Sequence, residues 1–176
     1  MTIKKSFSEL VSDVENSKAF KNVEDEKNYY LAHIFFQLNN AFELAKPIQL
    51  GWYCKEQDHL SMFEITSETI KHNGFEEAFK DGGIIEELQL TTSSCTLDEA
   101  KKIIDEILKK DFPEEHPNSY LCIAQNVKGK NILNCTVICI SFAMISIHID
   151  LETKEVIHKQ KNSILDLKKE TIKGEK

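Results

Sequence analysis

Hydrophobic positions recur at two spacings along this chain, three to four residues apart in some stretches and two apart in others, and the changes between them divide it into helices and strands. Ser6-Phe-Ser-Glu9 is a capping-box pattern, in which a hydroxyl and a carboxylate each accept from an otherwise unpaired backbone N–H at a helix start. Phe7, Leu10, Val11 and Val14 follow at helical spacing and predict an amphipathic helix ending near Ala19 or Phe20. A second helix is expected over 24–45, where Tyr30, Ile34, Phe35, Leu38 and Phe42 place bulk on one side and no Gly or Pro intervenes before Lys46-Pro47. Thr96-Leu-Asp-Glu99 is another capping box. Leu97, Ala100, Ile103, Ile104, Ile107 and Leu108 continue from it, predicting a helix from 96 to about 110 that ends before Pro113.

Alternating segments occupy most of the remainder. Two antiparallel strands are expected at 48–54 and 59–65 around the polar turn Lys55-Glu-Gln-Asp58, with a short third at 68–71. Asn73-Gly74 and Gly82-Gly83 mark 73–95 as a connector holding one strand at 84–90. After the 96–110 helix, strands are expected at 120–127, 132–141, 144–150 and 155–159. The last pair is the clearest local signal: Ile145, Ile147 and Ile149 alternate with Ser146, His148 and Asp150 before a polar turn. The lysine- and glutamate-rich stretch 167–176 reads as a fraying tail.

The two capping boxes, and the two hairpins at 60–72 and 145–159, are offset by about 90 residues, as an internal duplication would produce. Any α+β chain also offers such matches. The expected fold is α+β, with two pseudo-repeated halves, each a helix on an antiparallel sheet. They comprise 1–75 with an extra helix, a connector at 76–95, a second half at 96–167 and a tail at 168–176.

The final hairpin, Asp150-Leu-Glu-Thr-Lys154-Glu155-Val156, resembles the PepSY family, small α+β domains whose last two strands join through an Asp-x-x-x-Gly-Glu-Val turn. The helix from Thr96 and the strand around 134–140 occur in that family's order. Lys154 stands where the family has Gly, a residue suited to positive φ. The resemblance covers roughly the last 65 residues. It implies a non-catalytic binding or inhibitory module, often linked to peptidases and usually outside the cytoplasm, and it carries over no functional residue.

Charge narrows the partners. A net charge of −7, a pI near 5.4 and the absence of arginine argue against nucleic acid, which needs clustered cations, and weaken the case for phosphate chemistry. Lysine alone could still serve, and missing arginine also fits a base-composition effect. The first residues carry two lysines without a following apolar stretch, so a cytoplasmic address is expected. The longest apolar run, 135–149, is too short for a membrane-spanning helix and reads as buried strand.

Candidate chemistry is sparse. Cys122, Cys135 and Cys139 fall on one strand face and could hold zinc, but without a C-x-x-C pair they read, with Cys54 and Cys95, as buried reduced thiols. His148 and His158 are placed to meet across the last hairpin, as a solvent-facing pair rather than a metal site. Ser93, Ser94 and Cys95 precede a helix N-terminus that would lower a thiol pKa, making Cys95 the nucleophile of a thiol-dependent or hydrolytic alternative. Glu64, Glu68, Glu86 and Glu87 supply carboxylates of undefined spacing. Trp52 and Tyr53 alternate along a strand, so one faces outward as a contact point unless both sheet faces are covered. No cofactor or metal is implied. The expected function is a binding module that recognises a protein or peptide through its sheet, or self-associates; the alternatives are the Cys95 enzyme and a small-molecule carrier.

Overall fold

A computed structural model describes residues 5–23, 28–78 and 83–163. The chain runs α1 (Phe7–Glu15), α2 (Lys18–Lys21), β1 (Tyr29–Asn39), β2 (Ile48–Cys54), β3 (His59–Ile65), β4 (Ile70–Glu77), α3 (Leu97–Asp111), β5 (Pro117–Val127), β6 (Lys130–Cys139), β7 (Ala143–Asp150) and β8 (Val156–Ser163). All eight strands form one antiparallel sheet in the order β4-β3-β2-β1-β5-β6-β7-β8. The molecule is thus α+β, and the first strands of two four-strand meanders meet at its centre.

Both capping boxes form. Ser6 and Thr96 accept from the backbone N–H of Glu9 and Glu99, and each glutamate accepts from its cap residue's N–H. The first helix stops at Glu15, short of Ala19, because Asn16 bonds back to the Ser12 carbonyl at 2.8 Å and Ser17 caps a separate turn at Phe20 N–H. Phe20 from that turn lies edge-on to Trp52, with ring centroids 5.1 Å apart.

The helix expected over 24–45 is instead a strand and a turn: among the described residues of that span, Tyr29–Asn39 is β1. Ile34, Phe36 and Leu38 are buried at period two, but a bulge between Leu31 and His33 and the Phe35-Phe36 doublet blur that period in sequence. Phe42 does not continue a helical face. It adopts φ 57° in the turn after β1 and stacks on Tyr120 at 4.4 Å.

Three further expectations change. The short strand at 68–71 extends through Glu77, and Asn73-Gly74 lies inside it: the register shifts between Met62 and Phe63, and Gly74 takes φ 97° at the bulge. A boundary after residue 75 therefore cuts β4. The strand expected at 84–90 is reduced to one bridge, Glu86 with Asn126. The tail at 168–176 lies outside the described residues.

One face of the sheet carries the helices. Phe7, Leu10 and Val14 of α1 and Leu97, Ala100, Ile104 and Leu108 of α3 pack with Leu50, Phe63, Tyr120, Leu133 and Ile147 in one continuous core. Ion pairs bind the end of α3 and the segment after it to the edge strand β8, Lys159 to Asp111 at 2.6 Å and Lys161 to Glu115 at 2.5 Å. In the final hairpin Lys154 adopts φ 63°, and its ammonium meets Glu99 of the second capping box at 2.7 Å. Among the described residues, no helix is long and apolar enough to cross a membrane.

Candidate interaction surface

Cross-strand partners share a face, so the register defines the side of the sheet opposite the helices. One row crosses all eight strands: Lys71, Glu64, Gln49, Phe35, Ile123, Asn134, His148 and His158. Beside it run Gln37, Leu121, Thr136, Ser146 and Gln160, and then Asn39, Ser119, Ile138, Met144 and Asn162. Over β1 and β5 to β8 these three rows hold no Lys, Asp or Glu. Phe35, Leu121, Ile123, Ile138 and Met144 are half-buried, their outer sides meeting solvent. At the centre, the Asn134 Oδ1 atom is buried without a hydrogen-bond partner.

The connector after β4 bounds this surface. Ile85 packs against Tyr53, Leu60 and Met62 in a small second cluster on the open face, whereas Leu88 belongs to the helix-side core. Between them the chain passes through a fork where β1 and β5 separate. Leu88 N–H donates to the Leu31 carbonyl at 2.8 Å, Asn126 Nδ2 donates to the Glu87 carbonyl at 2.9 Å, and Gly129 N–H donates to Glu86 Oε2 at 2.7 Å. Above the fork lies an open cavity of about 850 Å³ lined by Ala32, His33, Leu60, Ile84, Ile123 and Val127. Its rim has the carboxylates of Glu76, Glu77 and Glu86 and the ammonium of Lys128. His33 is largely buried there. Desolvation pushes its pKa down to about 4, so the imidazole is neutral at physiological pH.

The aromatic contact point expected at Trp52 or Tyr53 is absent, because both sheet faces are covered at β2. Trp52 is 2% exposed under Phe20 and Phe63. Tyr53 is 3% exposed on the other face, edge-on to Tyr30 and donating to Asp58 at 2.6 Å. His148 and His158 do pair across the hairpin, with ring centroids 4.8 Å apart. Desolvation, then the neighbouring His158, lowers the His148 pKa. What sequence reasoning missed is the charge-free centre, whose residues come from five strands.

Cys95 is the reverse of an activated thiol. It is 1% exposed, and burial followed by the Glu99 carboxylate pushes its pKa up to about 11, overriding the helix terminus. Ser94 and Ser93 bond to Thr91, the ordinary chemistry of a turn. Among the described residues, the cavities between helices and sheet are open clefts: one of about 770 Å³ beside α1 and α2 reaches Thr66 and Thr69, and one of about 400 Å³ lies between α1 and the β1–β2 pair, lined by Val11, Glu15, Tyr29, Leu31 and Trp52. Among the described residues, no three His, Cys, Asp or Glu side chains gather as a metal site would require.

No protein-family model matches the chain, and no curated protein matches it. The fold is similar to that of a solved protein from Clostridium difficile 630 described as a "putative lipoprotein", with a TM-score of 0.58 over 92% of this chain and 96% of that one. At 11% identity the likeness establishes a shared fold alone.

Proposed function

We propose that this protein is a non-catalytic binding module that receives a protein or peptide partner on the open face of its sheet. One observation carries the reading: the centre of that face mixes half-exposed apolar side chains with uncharged polar ones across five strands, while the carboxylates stand at its rim. Depletion of charge at the core and a polar rim are the compositional marks of protein interfaces. The acidic rim and the net charge of −7 favour a partner segment combining basic with aliphatic or aromatic residues. The bulk of a folded antiparallel partner is not required, since a segment of extended chain would lie along the rows.

The PepSY-like expectation belongs with this proposal, as does the duplication. Each half begins with a capped helix and continues through a four-strand meander, and replacing the expected extra helix by β1 makes the halves more alike in order. The cytoplasmic address expected from the sequence competes with an extracytoplasmic one favoured by the fold neighbour's description as a lipoprotein; the two make opposite demands on the thiols.

The test is selection from a displayed random peptide library on the wild-type protein, followed by binding of the enriched peptides to Ile123→Lys. We expect peptides rich in Lys or Arg with apolar residues, at least about tenfold weaker on Ile123→Lys and unchanged on the helix-side control Lys102→Glu. Equal binding to wild type and Ile123→Lys would remove the face from consideration. Sedimentation of the wild type alone addresses self-association: a dimer abolished by Ile123→Lys makes the occupant a second copy of this chain.

A further inference from the structure

Cys122 and Cys135 sit opposite each other on β5 and β6, on the face that packs under α3, with sulfurs 3.4 Å apart. Their position in the ladder is informative. Lys128 at φ 53° and Gly129 at φ 78° form a two-residue turn with both central residues left-handed, closed by the hydrogen-bonded pair Val127 and Lys130. Bonded and non-bonded pairs alternate along an antiparallel ladder. Counting in register from that closing pair, Cys122 and Cys135 fall on a non-bonded position. There the strands approach to a Cα separation of about 4.5 Å, inside the range a disulfide spans. The sulfurs need move only about 1.4 Å to reach bonding distance.

We propose that Cys122 and Cys135 are a latent cross-strand disulfide, closed when the chain folds in the presence of a disulfide oxidant. The reaction is thiol–disulfide exchange. One cysteine thiolate attacks the oxidant's disulfide and expels one thiolate, giving a mixed disulfide. The second cysteine displaces the remaining half, so that two S–H bonds and the oxidant's S–S bond break, one protein S–S bond forms, and two oxidant thiols are released. Two electrons pass to the oxidant. The folded protein resists this, since Cys122 is 1% and Cys135 0% exposed, and the hydrogen bond to Cys135, then burial, raises the Cys122 pKa well above its ordinary value. Closure therefore belongs to the folding chain, before α3 covers the pair. Once made, the bond is equally shielded from reductants. It would lock the two strands whose next pair, Ile123 and Asn134, lies on the open face.

Cys139, four residues along β6 from Cys135 and on the same face, complicates mapping, because tryptic fragment 131–154 holds both. The experiment uses Cys139→Ser, unfolded and then refolded in a mixture of reduced and oxidised glutathione, with wild type in parallel. We expect fragment 111–128 linked to 131–154, two fewer titratable thiols, and a melting temperature about 6–12 °C above the reduced form, from closing a loop of this length. The already folded, reduced protein should react at least tenfold more slowly with the same oxidant. Retention of every thiol on refolding would overturn the proposal, as would links scattered equally to Cys54 or Cys95, or a lower melting temperature after oxidation. Thiol counts on wild type decide the matter even if a substituted chain folds poorly.

Discussion

Gly51 of β2 lies directly beneath the His33 ring, its cross-strand partner on β1. A Cβ placed there would come within 2.4 Å of the ring's Cε1, 2.9 Å of Nδ1 and 3.0 Å of Nε2. All three distances are shorter than carbon and nitrogen tolerate, so Gly51→Ala must displace the imidazole rather than compress it. Overpacking a filled site costs about 1–3 kcal/mol, and relief of glycine's backbone entropy returns about 0.5–1 kcal/mol. The net expectation is a destabilisation of about 0.5–2 kcal/mol. It should appear as a lower urea midpoint with unchanged m-value.

The double mutant separates obstruction by the His33 ring from the backbone preference of residue 51. With His33→Ala the obstructing ring is gone, and Gly51→Ala in that background should stabilise by about 0.5–1 kcal/mol, because alanine is the better strand residue. The coupling between the sites is then about 1–3 kcal/mol. An equal cost of Gly51→Ala with and without the His33 ring would refute the argument: the glycine would be there for its backbone alone.

His33 also predicts a pH dependence. Its folded pKa of about 4 lies below the ordinary 6.5, so the unfolded chain takes up the proton first as pH falls. Stability is fully present above pH 6.5 and declines down to pH 4, by about 3 kcal/mol from this group. His72 and His148, whose pKa values are also lowered, chiefly by desolvation, act in the same direction. Urea unfolding at pH 7 and pH 5 should show a shallower decline for His33→Phe than for wild type, and parallel declines would exclude His33 as a source. Asn134→Val removes the buried, unpartnered Oδ1 and should stabilise the fold by about 1 kcal/mol while weakening peptide capture. A destabilised Val variant would mean that Asn134 has an uncounted partner, such as an ordered water.

The parts of the fold legible in the sequence are those whose signals are local. A capping box acts within four residues, and both Ser6-x-x-Glu9 and Thr96-x-x-Glu99 mark helix starts. The alternation of Ile145, Ile147 and Ile149 likewise needs no knowledge of the neighbouring strand. β1 failed because its pattern depends on tertiary context. Leu31 and Ala32 are both buried, on opposite faces across a bulge, and Phe35 stands outward beside inward Phe36, so the bulky residues also fit a helical stripe. The aromatic and β-branched content of Tyr29-Tyr30 and Ile34-Phe35-Phe36 was the available counter-signal, favouring a strand. Asn73-Gly74 misled for a related reason: the dipeptide reports positive φ, which a bulge uses as readily as a turn.

The surface was illegible for a different reason. Alternation assigns each side chain to one of two faces but leaves open what covers that face, and β2 shows the consequence. Trp52 and Tyr53 point to opposite sides and are both enclosed, one by the α2 turn and the other with Tyr30 and the connector. From the other end of the neighbouring β1 across β5 to β7, the same open face is bare because the connector leaves it at the β1–β5 fork and carries Leu88 into the helix-side core. That exit, rather than any motif, divides the face into a covered part holding the aromatics that stood out in the sequence and an uncovered part built of Phe35, Leu121, Ile123, Ile138 and Met144. Those five are unremarked in linear order and become a patch only through the register of β1, β5, β6 and β7. A substitution such as Ile123→Lys therefore tests surface recognition, whereas Tyr53→Lys would test stability.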